Sequence, residues 1–164
     1  MDFDRRGFIQ PPQRHIFDLN ELESEFVTAF PNSNTRAILF GGYKEYTEDF
    51  KTKIAEEFIQ WIGGSFTTKK ENPRDIDLVT LVDFEVYEAK KELIDKEFRF
   101  KTALERYGVD GYAVPIYPED HSKYILTKGP LIYWDQQFSK SRPNRAKKTF
   151  KRGYVEIIFK VNMI

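Results

Sequence analysis

Two aspartates two residues apart, Asp75 and Asp77, open an apolar run that continues through Leu78-Val79-Thr80-Leu81-Val82. The run reads as a buried strand. Side chains two apart on a strand share a face, so the two carboxylates point the same way. They repel each other unless a cation sits between them. Hard oxygen ligands of this kind suit Mg²⁺, which keeps several waters and takes substrate phosphates as its remaining ligands. Upstream, Phe58-Ile59-Gln60-Trp61-Ile62 ends in Gly63-Gly64-Ser65-Phe66, a strand feeding a tight turn. Gly63 and Gly64 have no Cβ, so the backbone can approach a ligand closely. A helix starting near Ser65 would aim free N–H groups at a phosphate. The Ser65 hydroxyl adds a donor, and Lys69 and Lys70 could reach the same anion. Together these parts would hold a metal–triphosphate. Each signal alone has a plainer reading: Gly-Gly-Ser as a turn, Asp-x-Asp as a strand entry with solvated carboxylates. Their order and spacing, each flanked by a strand pattern, carry the argument.

The elements that must position these residues can be read along the chain. Residues 1–17 are polar and contain Pro11-Pro12 and His15, and read as an extended arm. His15 could touch a ligand, or simply pack. Asp18-Leu19-Asn20-Glu21 reads as a capping box, with Leu19, Leu22, Phe26 and Phe30 at helical spacing. A second helix runs from about Thr35 to Glu56. Gly41-Gly42 inside it is a close-packing site or a bend. The mixed Glu/Lys stretch from Asp83 to about Phe100 reads as a solvated amphipathic helix, continued by helix or turn to Tyr107. Gly108 to Pro115 reads as a short third strand. Asp120 reads as the cap of a helix after Pro118, and Ser122–Gln137 as two short helical pieces split at Gly129-Pro130. Lys140, Arg142, Arg145, Lys147, Lys148, Lys151 and Arg152 form the one strong basic cluster, suited to a triphosphate, to an RNA backbone, or to a solvated loop. The alternation of Val155, Ile157, Phe159 and Val161 against Tyr154, Glu156, Ile158 and Lys160 predicts a last strand.

The whole is 164 residues with 40% hydrophobic and 16% aromatic content, enough for one domain with a core. Twenty-six basic residues balance 26 acidic ones, which argues against a nonspecific nucleic-acid coat but not against a local patch. The absence of Cys excludes disulfides, thiolate zinc and a cysteine nucleophile. Two His make a histidine-rich metal site improbable. No apolar run approaches the length of a membrane span, and no signal-peptide pattern opens the chain, so a cytoplasmic protein that makes no membrane contact is the default. The expected fold is α/β (α+β): a single domain over 1–164, with a small mixed β-sheet of four or five strands and helices mainly on one face.

Gly64-Ser65 followed by Asp75-Ile76-Asp77 resembles the signature of the nucleotidyltransferase superfamily, the group that includes DNA polymerase beta. The closer similarity is to small uncharacterised bacterial and phage proteins of that superfamily, whose core reads roughly Gly-Ser-Phe-x-Thr-x-Lys-x-x-Pro-x-Asp-Ile-Asp. The string Gly64 to Asp77 fits, with one extra residue between Lys69 and Pro73. The Pro-Pro…His arm before a helix also looks similar. The resemblance implies metal-dependent transfer of an NMP from an NTP to a hydroxyl of an RNA, protein or small-molecule acceptor, with Mg²⁺ or Mn²⁺ as the metal. It also implies a third carboxylate on a strand neighbouring the Asp-x-Asp strand, where Asp110 is the first candidate and Glu156 the second. On that reading Asp75, Asp77 and Asp110 are catalytic metal ligands, and Gly63, Gly64, Ser65, Lys69 and Lys70 bind the nucleotide. Two other readings stay open: a non-catalytic nucleotide-binding or regulatory module of the toxin–antitoxin or phage-defence kind, and an RNA-binding protein using the basic cluster. A homodimer is plausible from the aromatic content.

Overall fold

The computed structural model describes residues 1–160. The arm folds into short strands β1 (Asp2–Phe3), β2 (Ile9–Gln10) and β3 (Arg14–Ile16). The Asp18 carboxylate accepts the Glu21 N–H and the Glu21 carboxylate accepts the Asp18 N–H, the reciprocal cap expected at α1 (Leu19–Glu23). That helix runs on as a wider turn over Ser24–Thr28. α2 (Arg36–Lys53) follows, then β4 (Phe58–Gly63), β5 (Ile76–Asp83), α3 (Phe84–Glu97), α4 (Phe100–Tyr107), β6 (Val109–Ile116), α5 (Ile125–Phe138) and β7 (Tyr154–Phe159). Val161, the last expected member of the closing strand's pattern, lies outside the described residues.

The main sheet is five-stranded and mixed, in the order β3-β7-β4-β5-β6. β5 and β6 run parallel, as do β3 and β7, while β4 is antiparallel to both its neighbours. Period-two alternation gives the sheet two apolar faces. Ile62, Ile76, Leu78, Val109, Val155 and Ile157 join Tyr43, Tyr46 and Phe50 of α2 and Ile94 of α3 in the larger core. Trp61, Val79, Leu81, Val114 and Tyr154 face Phe138 and Trp134 of α5 in a smaller one. Helices α1 to α4 therefore lie with the first face and α5 alone covers the second, which matches the expected bias to one face. Gly42 meets Tyr107 so closely that a Cβ would overlap the Tyr107 carbonyl. Of the glycine pair, Gly42 is thus a close-packing point between α2 and α4, while Gly41 faces open space.

Two expectations change in the C-terminal half. Residues 125–138 form one helix, with Pro130 inside it. Pro130 is the sixth residue of that helix, past the first turn where a proline is free, so it contributes no N–H to the helix's hydrogen-bond ladder at that point. Asp120 lies in a turn, and α5 instead starts at Tyr124 without a side-chain cap. Among the described residues no helix is long and apolar enough to cross a membrane.

Candidate functional site

β4 ends at Gly63, and the chain turns back at Gly64 into the single turn Ser65–Thr67. Gly64 has φ +66° and ψ −158°, a conformation that suits glycine alone. Its Cα lies against Asp77, so that a Cβ would overlap the Asp77 carboxylate oxygen Oδ2. The Asp-x-Asp strand and the glycine turn are therefore one object: the carboxylate rests on the turn's backbone.

Two buried arginines hold that turn from behind. Arg36, fully buried, donates to the carbonyls of Phe26 at 2.8 Å, Phe66 at 2.7 Å, Thr68 at 2.7 Å and Lys70 at 2.6 Å. Arg152, also buried, donates to Gly64 O at 2.9 Å, Thr67 O at 3.1 Å and Thr67 Oγ1 at 2.7 Å. The Ser65 carbonyl accepts the Thr68 hydroxyl at 2.7 Å. The carbonyls of residues 64–68 are thus all engaged inward. A planar guanidinium with five donors suits such a fork, whereas an ammonium does not.

The front of the turn opens into a cleft of about 830 Å³ lined by Gly64, Ser65, Lys70, Asp75 and Asp77. One wall comes from the arm, through Arg6 and Phe8, and from Arg74. The other comes from the end of α5 and the segment after it: Trp134, Phe138, Lys140, Arg142 and Phe150. Including Arg152, six basic side chains line the cleft against two acidic ones. The guanidinium of Arg6 lies 3.7 Å over the Phe150 ring, tying the arm to the far wall.

The carboxylates are electrostatically strained. Burial, then the negative charges of Asp75 and Asp110, push the Asp77 pKa up from 3.8 to about 6, with Arg142 and Arg152 opposing. Burial and Asp75 raise Asp110 as well. Asp77 and Asp110 are register partners on neighbouring parallel strands, on the face that α5 covers. This clustering of negative charge is the condition a cation relieves. Yet among the described residues no three His, Cys, Asp or Glu side chains are gathered into a group that could hold a metal ion by themselves. Asp75 and Asp77 line the cleft and Asp110 stands just behind them. This set fits a Mg²⁺ ion that draws on two carboxylates and fills its shell with phosphate and water, the usual arrangement for that ion.

The other expected residues divide. Gly64, Ser65, Lys70, Asp75 and Asp77 reach the cleft. Gly63 does not: it is buried under the Phe138 ring, where a Cβ would overlap it, so its small size serves packing. Lys69 points to the arm, with its ammonium 5.7 Å from the Phe3 ring and its N–H on the Gly7 carbonyl. A helix N-terminus at Ser65 is not formed, because the turn is only three residues long. Glu156 accepts the Trp61 indole N–H at 2.7 Å and pairs with Arg14 at 3.2 Å. It sits on β7, with β4 between it and β5, so Asp110 is the carboxylate neighbouring Asp77. His15 shares a 2.9 Å hydrogen bond with the Pro11 carbonyl and packs on Gly153. Arg6, Phe8, Arg36, Arg74 and Trp134 carried no sequence signal for a site. Of the basic cluster, Lys140, Arg142 and Arg152 turn to the cleft, whereas Arg145, Lys147, Lys148 and Lys151 are exposed outside its lining.

The chain belongs to a family of unknown function (DUF6932), whose profile matches residues 1–158. Comparisons with curated proteins and with solved structures find no match.

Proposed function

We propose that this protein is a metal-dependent nucleotidyltransferase, moving an NMP from an NTP to a hydroxyl of an RNA, protein or small-molecule acceptor. The observation that carries the reading is the Asp77 carboxylate resting on the Gly64-Ser65 turn, with Asp75 beside it, in a cleft whose walls are basic. Asp75 and Asp77 would hold Mg²⁺ or Mn²⁺, which when bound screens the charge developing on the transferred phosphoryl group. Ser65 and the Gly64 backbone meet the β- and γ-phosphates from below. Lys70, Arg74 and Arg142 meet them from the sides, and Trp134 offers a flat face to the base. The acceptor oxygen bonds to the α-phosphorus as the α–β anhydride bond breaks. Pyrophosphate leaves, and Asp110 takes the acceptor's proton. Cytoplasmic residence, where NTPs and Mg²⁺ are both plentiful, belongs to this reading.

One observation favours a second reading, a nucleotide-binding module without transfer, as in toxin–antitoxin or phage-defence systems: Asp110 does not itself line the cleft. Titration with each of the four NTPs, with and without Mg²⁺, tests both. Tight Mg²⁺-dependent binding that is lost in Asp75→Asn/Asp77→Asn is expected, and a wild type that binds no NTP overturns both. Transfer separates the two. Asp77→Ala should lower any transfer rate at least ~100-fold, the scale of one preorganised electrostatic group.

A further inference from the structure

Trp134 has a second side. There it borders another groove, of about 490 Å³, formed with Tyr112, Ala113, Val114 and Pro115 of β6 and with residues of α3 and α5. β6 ends the sheet, so its outer edge has no strand partner among the described residues. The Thr127 hydroxyl closes the far end of that edge. It donates to the Pro115 carbonyl at 2.6 Å and accepts the Tyr117 N–H at 2.8 Å. Because strand backbone groups alternate sides, this fixes the odd residues of β6 as outward-facing, and Ala113 is the next open rung. Its N–H and C=O point along the floor of the groove.

The groove's rim is net positive. Lys91, Arg99 and Lys123 line it with Glu88; Lys91 and Arg99 share Asp95 at 2.6 Å each and Lys123 pairs with Glu88 at 2.9 Å, so the cations outnumber their carboxylate partners by one. Among the described residues the buried Nε of Arg99 has no hydrogen-bond partner. Leu126, 50% exposed, and Pro130 give it an apolar flank. An unpaired strand edge, cations and small apolar pockets are what an extended acidic peptide needs: backbone bonds for affinity and alternate side chains for specificity.

We infer that this groove binds an extended acidic peptide by strand addition to β6, and that the peptide carries the acceptor hydroxyl. The chemistry rests on the nucleotidyl-transfer reading above; the binding does not. An added strand lies about 4.8 Å outside β6. A peptide residue opposite Asp110 or Tyr112 then turns its side chain to the α5 face, where Asp110 and Asp77 stand in register. A Ser, Thr or Tyr at that place has its hydroxyl beside Asp110. Its oxygen forms the new bond to the α-phosphorus, its proton passes to Asp110, and the α–β anhydride bond breaks to release pyrophosphate.

The test begins without nucleotide. The full-length protein is panned against a random octapeptide display library, and selected peptides are assayed by hydrogen exchange and titration. We expect a pool enriched in Asp and Glu, at least tenfold slower exchange of the Ala113 amide when peptide is bound, and at least tenfold weaker binding to the double variant K91E/K123E. Ala113→Pro removes the edge N–H and should abolish binding. Because Ala113 is nearly buried, the exposed-lysine variant keeps the test decisive if the proline variant does not fold. A pool that leaves Ala113 exchange unchanged, or that ignores K91E/K123E, overturns the inference. So does a random RNA 20-mer that protects these amides better than any selected peptide. NTP titration run in parallel separates the two ideas. Peptide binding without NTP binding removes the transfer reading and leaves the groove, and NTP binding without Ala113 protection does the reverse.

Discussion

At the scale of single residues, the site holds charge at a cost in stability. The Asp77 pKa is raised from 3.8 to about 6 by burial and two neighbouring carboxylates. A raised carboxylate favours the protonated form in the folded state. Its penalty is therefore full above about pH 6 and relieved as pH falls towards 3.8. At 1.36 kcal/mol per unit the whole shift is about 3 kcal/mol, and discounting for partial solvent access leaves about 2 kcal/mol. Asp77→Asn should thus stabilise the metal-free protein by about 2 kcal/mol at pH 7, with the gain fading from about pH 6 and gone by about pH 4, while losing Mg²⁺-dependent NTP binding. Urea titrations in EDTA at both pH values check it, and a destabilised variant at pH 7 would contradict the charge crowding. Gly64→Ala acts on the same contact from the other side. The new methyl must displace the Asp77 carboxylate and occupy a backbone conformation foreign to alanine, costing about 2 kcal/mol or more. Calorimetry should show the lower Tm, and NTP titration should show binding weakened beyond what partial unfolding explains.

At the scale of elements, what was legible in the sequence was whatever repeats or caps locally. The Asp18–Glu21 box, the apolar runs of β4 and β5, the alternation in β7, and the Gly64-Ser65 and Asp75-Ile76-Asp77 pair all declare themselves within a few residues. What holds the turn does not. Arg36 sits at the start of an amphipathic helix, where an arginine ordinarily faces water, and nothing within a few residues says that its guanidinium will serve carbonyls 30 to 34 positions away. Arg152 was visible only as one of seven basic residues. Gly63 and Lys69 belong to the same string yet turn away from the cleft, because spacing along the chain cannot separate a residue that faces a cleft from its neighbour that faces a ring. The clamp makes its own prediction. Arg36→Lys keeps the charge but cannot fork to four carbonyls, leaving buried acceptors unpaired. It should lose at least about 2 kcal/mol by urea denaturation. It should also weaken NTP binding, although Arg36 does not line the cleft. An unchanged affinity at full folding would mean that the turn's shape does not depend on the clamp.

At the scale of the whole molecule, a formal charge of zero conceals a polarised surface. Twenty-six charges of each sign cancel in sum, yet six basic side chains and two carboxylates share one cleft. A low-dielectric concavity focuses such a field on an incoming anion. The two sets of charges should separate under salt. On the proposed function the basic wall would act on the phosphates through partly exposed groups, so its contribution would fall as the Debye length shrinks from about 10 Å at 0.1 M towards 3 Å at 1 M. The aspartates would act through a bound cation at contact distance, which salt screens far less. Calorimetric titration should therefore find Mg²⁺–NTP affinity falling several-fold between 0.05 and 0.3 M NaCl, with the Mg²⁺ requirement intact throughout. In Asp75→Asn/Asp77→Asn the residual triphosphate binding should be weak, metal-independent and still salt-sensitive. In Arg74→Ala/Arg142→Ala the pattern inverts, with metal dependence kept and salt sensitivity reduced. The exposed Arg145, Lys147, Lys148 and Lys151 stand outside the cleft, so reversing their charge should leave NTP affinity within about twofold of the wild type. An affinity indifferent to salt in the wild type would mean that the basic wall does not hold the phosphates, and the cleft would have to be read from its carboxylates and aromatic rings alone.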